Sequence, residues 1–118
     1  MDGKRILGLT KEVTLVGANG KEHTCLARID TGATSSSLDR QLAEELHLKP
    51  SQKLKLVKSA AGVEKRPLVN AKIKIDSQII EEEFTLADRK HMTYQILIGQ
   101  NILAKGNFLV DPRKGNTT

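Results

Sequence analysis

The chain has 118 residues, of which 38% are hydrophobic and 28% charged, and its formal net charge is +5. These proportions are typical of one folded domain spanning residues 1–118 and exclude a disordered or fibrous protein. Only three residues are aromatic, so base stacking is disfavoured and the basic excess is interpreted as a solvated surface ahead of a nucleic-acid interface.

The first strands of the chain are predicted to form a hairpin. Val13 and Leu15 mark the first strand by their apolar alternation, and residues 22–29 form the second. Between them lies Asn19-Gly20, a dipeptide that accepts positive φ at both central residues of a tight hairpin turn. The second strand leads directly into Asp30.

A short helix is predicted after this hairpin. Residues 34–38 carry mostly short hydroxyl side chains, which do not favour the start of a helix. Asp39 can accept hydrogen bonds from the N–H groups of a first helical turn, and residues 40–46 are good helix formers. Pro50 is expected to end the element.

From Gln52 onward the hydrophobic period changes to two, which predicts further hairpins. Residues 54–59 alternate and lead into Ala60-Ala61-Gly62, where the chain is expected to turn back as a projecting hairpin. The next hairpin joins strands at residues 68–75 and 79–86. Across this hairpin two lysines are predicted to face two glutamates of opposite charge, namely Lys72 and Lys74 facing Glu81 and Glu83.

The last part of the chain predicts a buried strand, a turn of helix and a final strand. Residues 95–99 lack polar alternation, so both faces of this strand are expected to be covered. A short helix over residues 100–104 and a strand over 107–110 follow. Many short strands with one or two short helices favour an all-β fold, either a small closed barrel or a sandwich.

Metal, nucleotide and thiol chemistry find little support in the sequence. His23, Cys25, His47 and His91 lack the HExxH and CxxC spacings, so no metal site is expected. No glycine-rich phosphate loop is present, so no nucleotide cofactor is expected either. Cys25 lies in mid-strand, where a cysteine is more often an inert core residue than a nucleophile.

The sequence also predicts the compartment. Residues 1–13 contain too short an apolar run for a signal peptide, and no stretch of the chain is long and apolar enough to span a membrane. A single cysteine cannot form a disulfide within the chain, which suits a reducing environment. We therefore expect a cytoplasmic protein without membrane association.

Asp30 carries the clearest chemical signal. A carboxylate at the end of an apolar strand faces a desolvation cost, so it is expected to be paired or functional. Gly32 would let backbone approach closely, and the hydroxyls of Thr31 and Thr34 can donate hydrogen bonds that hold the loop. The alternative is an ordinary turn, because Asp-Thr-Gly is a common loop tripeptide.

The block around Asp30 resembles the retropepsin-like aspartic proteases. It consists of an apolar strand, DTGAT, a hydroxyl-rich strand and a capped helix. The second signature of that fold is an apolar run ending in glycine before a short helix, and ILIGQNIL over residues 96–103 matches it. The hairpin at Ala60-Ala61-Gly62 stands between the two, where such proteases carry a flap.

A narrower resemblance covers most of the chain, from about Ile6 to Lys114. The segments ARIDTGA, FTLADRKHMTYQILIG and FLVDPRK are similar to the RimB-type family, whose members are often labelled ATP-dependent zinc proteases. The family prototype trims the glutamate tails that RimK, an ATP-grasp ligase, adds to a ribosomal protein. This chain departs from the family pattern after IDTGA and after LIG, where many members carry arginine. The zinc of the label has no support in the sequence.

The resemblance implies a small closed retropepsin-like β-barrel with Asp30 as the catalytic residue. It also implies two sets of supporting residues, which are the active-site loop (Thr31, Gly32, Ala33 and Thr34) and the flap (Ala60, Ala61 and Gly62). The segment 96–103 is expected to pack under the loop as structural support. Thr31 is expected to link two such loops near a symmetry axis.

One Asp-Thr-Gly motif is too few for aspartic-protease chemistry, which uses two carboxylates that share a proton. Thr-Gly follows none of these four aspartates: Asp39, Asp76, Asp88 and Asp111. A homodimer would place Asp30 of each copy at a two-fold axis. We therefore predict a homodimeric aspartic peptidase that hydrolyses peptide or glutamyl amide bonds and needs no cofactor.

The substrate and two alternative functions remain open at this point. Asp88 and Arg89 are interpreted first as a surface ion pair, and second as a substrate contact peculiar to the narrower family. The substrate would be a peptide or protein, with an acidic or polyglutamate tail as one candidate. The runner-up function is a non-catalytic module that binds acidic peptide or a ribosomal component. Nucleic-acid binding through the Lys-rich residues 49–58 is the weakest of the three.

Overall fold

The computed structural model describes residues 5–59 and 62–117 of the chain. Those residues form ten strands and two short helices. In chain order they are β1 (Arg5–Leu7), β2 (Thr10–Val16), β3 (Glu22–Ile29), β4 (Ser36–Asp39), α1 (Arg40–Glu45), β5 (Leu54–Ser59), β6 (Gly62–Ile75), β7 (Gln78–Ala87), β8 (Ile96–Ile98), α2 (Gln100–Lys105), β9 (Phe108–Val110) and β10 (Asn116–Thr117).

Six of these strands close into a barrel. Hydrogen bonding runs in the order β2-β3-β8-β4-β7-β6, and β6 pairs back with β2 to complete the ring. β5 pairs with the first half of β6, β10 pairs with β2, and β1 and β9 form a separate parallel pair. A closed, mostly β barrel with two short helices confirms the predicted fold class and decides between the barrel and the sandwich.

The core fills the inside of this barrel. Leu15, Ile73, Phe84, Ile96 and Ile98 are all fully buried, because strand alternation turns every second side chain inward. Burying one such side chain stabilises the fold by about 1.5–3 kcal/mol relative to leaving it exposed. Each helix adds two more buried apolar side chains to the core.

Helix α1 begins where the sequence predicts, because Asp39 caps it. The Asp39 Oδ2 atom accepts a hydrogen bond from the backbone N–H of Leu42 at 3.2 Å. The helix ends at Glu45, one residue earlier than expected, and His47 follows with a left-handed φ of 56°. The backbone therefore leaves the helical conformation before Pro50.

The turn between β2 and β3 differs from the prediction. Gly20 has a φ of 84°, but Asn19 does not have a positive φ. The Gly17 carbonyl accepts from the Gly20 N–H at 3.1 Å, and the Gly17 N–H donates to the Lys21 carbonyl at 2.7 Å. This is a three-residue loop with a glycine bulge, in which only the bulge residue is left-handed. The predicted two-residue turn is wrong.

The charge pairing predicted across the β6–β7 hairpin is only partly correct. Lys72 lies opposite Glu81, as predicted, whereas Lys74 lies opposite Ile79. The Lys74 Nζ atom instead contacts Glu22 Oε2 at 2.5 Å. The prediction failed for Lys74 because an antiparallel register that pairs Lys72 with Glu81 also pairs Lys74 with Ile79. Closure of the barrel through β2 brings the start of β3, and with it Glu22, close to β6.

Candidate active site

Asp30 lies where β3 leaves the barrel. Ile29, the last residue of β3, pairs with Ile98 of the parallel strand β8, and the Asp30 N–H then donates to the Ile98 carbonyl at 2.9 Å. The Asp30 side chain is half-buried, and its Oδ1 atom accepts a hydrogen bond from the Gly32 N–H at 3.0 Å. The carboxylate therefore belongs to a tight loop at the end of the strand and not to the core.

The segment after β8 holds this loop in place. The Gln100 N–H donates to the Ala33 carbonyl at 2.7 Å, and Gln100 Nε2 donates to the Thr31 carbonyl at 2.8 Å. A Cβ atom on Gly99 would lie 2.3 Å from the carbonyl oxygen of Ser35, so only glycine fits where the two segments touch. The two sequence signatures, distant in the chain, thus form one interlocked unit.

A second contact between these segments, from Ser36 to Asn101, was missed by sequence reasoning. The buried Ser36 Oγ atom accepts from the Gly99 N–H at 2.9 Å and donates to Asn101 Oδ1 at 2.7 Å. Asn101 Nδ2 in turn donates to the Glu83 carbonyl of β7 at 3.0 Å. No local sequence pattern predicts the hydrogen bond between Ser36 and Asn101, because the two residues lie 65 positions apart.

The threonine hydroxyls of the loop do not act as predicted. In the described part of the chain, neither the Thr31 nor the Thr34 hydroxyl has a hydrogen-bond partner, and both residues are exposed. The loop is held instead through the carbonyls of Thr31 and Ala33, which Gln100 binds. Both hydroxyls are therefore accessible to a molecule outside this chain.

Gly32 is not required by the conformation of its own loop. Its φ does not lie in the left-handed region. Among the described residues, a Cβ atom built on Gly32 would meet only Asp30 Oδ1, at 3.4 Å, which is an ordinary van der Waals contact. The close approach of backbone predicted at Gly32 is therefore not found among the described residues, which leave the space above Gly32 open.

β5 and β6 form the predicted projecting hairpin. They pair in register up to Ser59 opposite Gly62, and Gly62 has a positive φ of 120°. Ala60 and Ala61, the other two residues of the predicted flap, lie outside the described residues. The described part of the hairpin lies next to the Asp30 loop, because residues of both line one cavity.

A cavity of about 430 Å³ lies between the hairpin and the Asp30 loop. Gly32 and Ala33 border it from the loop, and Lys55 and Arg66 border it from the hairpin. The Lys55 Nζ atom also contacts Ser35 Oγ at 2.5 Å, which connects hairpin and loop directly. The cavity is therefore placed to receive a group bound next to Asp30.

The family of the chain follows from its sequence. A model of the RimB-like family, described as the retropepsin-like aspartic endopeptidase RimB, matches residues 43–118. The chain belongs to the RimB-like family. The matched segment includes β8, α2 and the β5–β6 hairpin and begins after the Asp30 loop. Among curated proteins, no sequence matches the chain significantly.

Solved structures share the fold over most of the chain. Lpg0085, a Legionella pneumophila protein of unknown function, has a TM-score of 0.66 at 26% identity and covers 92% of this chain and 94% of its own. EIAV protease complexed with the inhibitor HBY-793 has a TM-score of 0.62 at 20% identity, covering 81% and 85%. The retroviral protease-like domain of Ddi1 from Leishmania major has 0.55 at 16%, covering 86% and 78%. These likenesses show that this RimB-like chain has the retropepsin-like fold.

Asp88 and Arg89 do not form the surface ion pair that was the favoured interpretation. Asp88 is exposed, and its Oδ1 atom accepts from the Lys90 N–H at 3.3 Å. Arg89 is buried, with its backbone N–H on Asp39 Oδ1 at 2.8 Å and its Nε on the Tyr94 carbonyl at 2.9 Å. The pair prediction failed because the capping carboxylate of α1 fixes the Arg89 backbone and turns its side chain inward.

Arg89 and Asp88 border different cavities. Arg89 lines the cavity next to the Asp30 loop, whereas Asp88 borders a separate depression beside α1. Burial lowers the pKa of the Arg89 guanidinium, the nearby Arg66 lowers it further, and Asp39 acts in the opposite direction. Of the two candidate substrate contacts, only Arg89 therefore lies beside the loop.

The described residues do not bring together a metal-ligand set. No group of three or more His, Cys, Asp or Glu side chains within residues 5–59 and 62–117 is placed to hold a metal ion. The zinc of the family label therefore has no ligand set in this part of the chain. The same residues contain no helix with the length and apolar character needed to cross a membrane.

Cys25 is expected to react slowly and to be dispensable. Burial raises the pKa of its thiol, so at pH 8 less of it is thiolate than in free cysteine. We expect iodoacetamide to modify Cys25 several-fold more slowly than free cysteine, as measured by mass spectrometry. Any rate of peptide hydrolysis that the parent shows should be unchanged in Cys25→Ser. Fast modification that also stops hydrolysis would point to thiol chemistry instead.

Proposed function

We propose that this member of the RimB-like family is an aspartic peptidase that acts as a homodimer. The observation that carries the proposal is the interlock between the Asp30 loop and the segment Gly99–Gln100, which fixes a half-buried carboxylate at the end of a barrel strand. A carboxylate held in this way is pre-organised, because its loop does not need to rearrange before it acts.

The second carboxylate is proposed to come from a second copy of the chain. The four other described aspartates are all engaged elsewhere: Asp39 caps α1, Asp76 pairs with Lys11, Asp88 accepts from Lys90, and Asp111 binds Arg113. A two-fold axis through the loop would bring Asp30 of each copy together. The accessible Thr31 hydroxyl and the space that the described residues leave open above Gly32 support a second chain at this position.

In the proposed reaction the two Asp30 carboxylates share one proton. The ionised carboxylate takes a proton from water, and the resulting hydroxide attacks the scissile carbonyl carbon, while the protonated carboxyl group donates a hydrogen bond to the carbonyl oxygen. The C–N bond then breaks and the amine leaves with the proton that the base removed. The bond is a peptide or glutamyl amide bond, and the protein needs no cofactor for these steps.

The β5–β6 hairpin is proposed to cover the bound substrate. Its described end is Gly62, and the two residues that precede Gly62 in the sequence, Ala60 and Ala61, are small and would offer little steric hindrance above an extended peptide. The contact between Lys55 and Ser35 ties the base of the hairpin to the active-site loop. Closure over the substrate would exclude water from all but the reacting position.

Subunit mixing tests the homodimer. An equal mixture of parent and Asp30→Asn chains should halve the specific activity per parent chain, because about half of the parent chains then pair with an inactive partner. Dilution of the parent below its dimer dissociation constant should also lower the rate per chain. An activity per parent chain that stays constant in both titrations would contradict the homodimer.

The alternative is a non-catalytic module that binds acidic peptide or a ribosomal component. The β5–β6 hairpin supports this alternative, because it is rich in lysine and arginine and therefore attracts anionic partners. This module would bind acidic peptide in a salt-dependent way and release no product at any pH. Product analysis by mass spectrometry separates the two functions.

A further inference from the structure

The cavity beside the Asp30 loop is lined by basic side chains. The charged residues among its described lining are all basic: Lys55, Lys58, Arg66 and Arg89. Glu64 pairs with Arg66 but does not line the cavity. Cations gathered without an acidic residue in the same lining repel one another, so the cavity favours a bound anion.

The floor of this cavity contains an unpartnered hydroxyl. Ser37 is only 5% exposed, and its Oγ atom is the one buried side-chain polar atom without a hydrogen-bond partner in residues 5–59 and 62–117. On β4 it lies opposite Thr85 of β7 and Leu97 of β8, and all three residues line the cavity. Leaving such a hydroxyl unsatisfied is unfavourable, so an acceptor bound in the cavity would stabilise the site.

Arg89 is held rigidly at the same cavity. Its Nε donates to the Tyr94 carbonyl at 2.9 Å and its backbone N–H to Asp39 Oδ1 at 2.8 Å, so the guanidinium has little freedom. Arg66 lies close enough to lower the pKa of Arg89 through charge repulsion. Two guanidinium groups of this kind offer forked donors that match the geometry of a carboxylate.

We propose that Ser37, Arg66 and Arg89 form a carboxylate-binding subsite that selects peptides with an acidic group near the scissile bond. They are specificity-determining residues, distinct from the Asp30 pair that performs the chemistry. The inference rests on the proposed function in that the bound peptide is the substrate of Asp30. The carboxylate can come from an acidic side chain or from the C-terminus of the peptide, because both present the same oxygens.

Binding measured in the Asp30→Asn background tests the subsite without turnover. Fluorescence anisotropy compares labelled peptides that contain Glu or Gln, each as a C-terminal acid or amide. We expect Arg66→Gln to weaken binding of the carboxylate peptide about tenfold. The matched control is Lys65→Gln, which removes the same charge from the neighbouring residue of β6 outside the cavity lining, and should change binding less than about twofold.

Ser37→Ala is a second variant, and the loss of one hydroxyl is a small enough change to keep the fold. It should weaken binding of the carboxylate peptide more than binding of the Gln amide peptide, because a hydrogen bond to an ionised acceptor is stronger than one to a neutral amide oxygen. Arg89→Gln is less suitable alone, since Arg89 is buried. Circular dichroism of every variant shows whether the fold is retained.

The outcomes are separable from those of the proposed function. If the protein binds Glu peptides more tightly than Gln peptides and Arg66→Gln removes this difference, the subsite binds a side-chain carboxylate. If it binds C-terminal acids more tightly than C-terminal amides and Arg66→Gln removes this difference, the subsite binds the C-terminal carboxylate. Equal binding of all peptides, or equal losses for Arg66→Gln and Lys65→Gln, overturns the subsite. Selective binding by a parent protein that never hydrolyses these peptides would support the subsite and overturn the peptidase.

Discussion

Replacing Asp30 with Asn is expected to lower peptide hydrolysis by about 10³-fold or more while the barrel stays folded. Asn has nearly the same size, and its Oδ1 atom can still accept the hydrogen bond from the Gly32 N–H. The amide cannot take a proton from water, however, and in a homodimer both members of the catalytic pair are lost at once. The loss should therefore appear in the rate and not in the melting temperature.

Asp111→Asn is the matched control for this experiment. Asp111 also follows a strand, and its Oδ1 atom also accepts the backbone N–H two residues later, from Arg113. We expect it to leave hydrolysis near the parent rate. Mass spectrometry of oligoglutamate-tagged and untagged peptides measures both variants. If the Asp30 variant cleaves as fast as the parent, the assignment of the catalytic residue is wrong.

Replacing Gly99 with Ala is expected to lower the free energy of unfolding by about 3 kcal/mol. The new Cβ atom would lie 2.3 Å from the Ser35 carbonyl oxygen and 2.8 Å from that of Ala33, and both atoms belong to backbone that cannot move away without breaking the interlock. The melting temperature should fall by roughly 10 °C. Differential scanning calorimetry measures the change, and a melting temperature equal to that of the parent would refute the packing described at Gly99.

Gly32→Ala serves as the counterpart, because Gly32 belongs to the loop against which Gly99 packs. A Cβ atom on Gly32 has no clash with the described residues and no unfavourable φ, so stability should stay the same or rise slightly. Hydrolysis and dimer formation should nevertheless fall, since the second copy and the substrate are proposed to use that space. Full activity in a stable dimer would show that nothing outside the chain needs it.

Much of the local structure could be predicted from the sequence because it depends on near neighbours. Strand alternation predicted β5 to β7, and the oxygen-bearing side chain of Asp39 predicted the start of α1. The hairpin at Asn19-Gly20 shows the limit of such rules, since the dipeptide predicted a turn correctly but the wrong number of residues in it. Turn length depends on how the flanking strands meet, which the dipeptide does not encode.

The candidate site was predicted only in part. The resemblance proposed Asp30 and the segment around Gly99, but the side chains that join the two segments, Gln100 and Asn101, follow from the folded chain alone. Arg89 is the clearest case, because a charged residue in a polar loop was interpreted as exposed. Its burial depends on Asp39, a residue 50 positions away whose carboxylate also caps α1.

By itself the sequence determined that this chain is a β protein with a single Asp-Thr-Gly loop, because alternation, capping and that motif are properties of adjacent residues. Tertiary structure decided what surrounds the loop: the hydrogen bonds from Gln100, the space that the described residues leave open above Gly32, and the basic cavity at Ser37. These features need residues from separate strands to meet. Barrel closure brings them together through pairings between distant segments, and such pairings leave no periodic trace in the sequence.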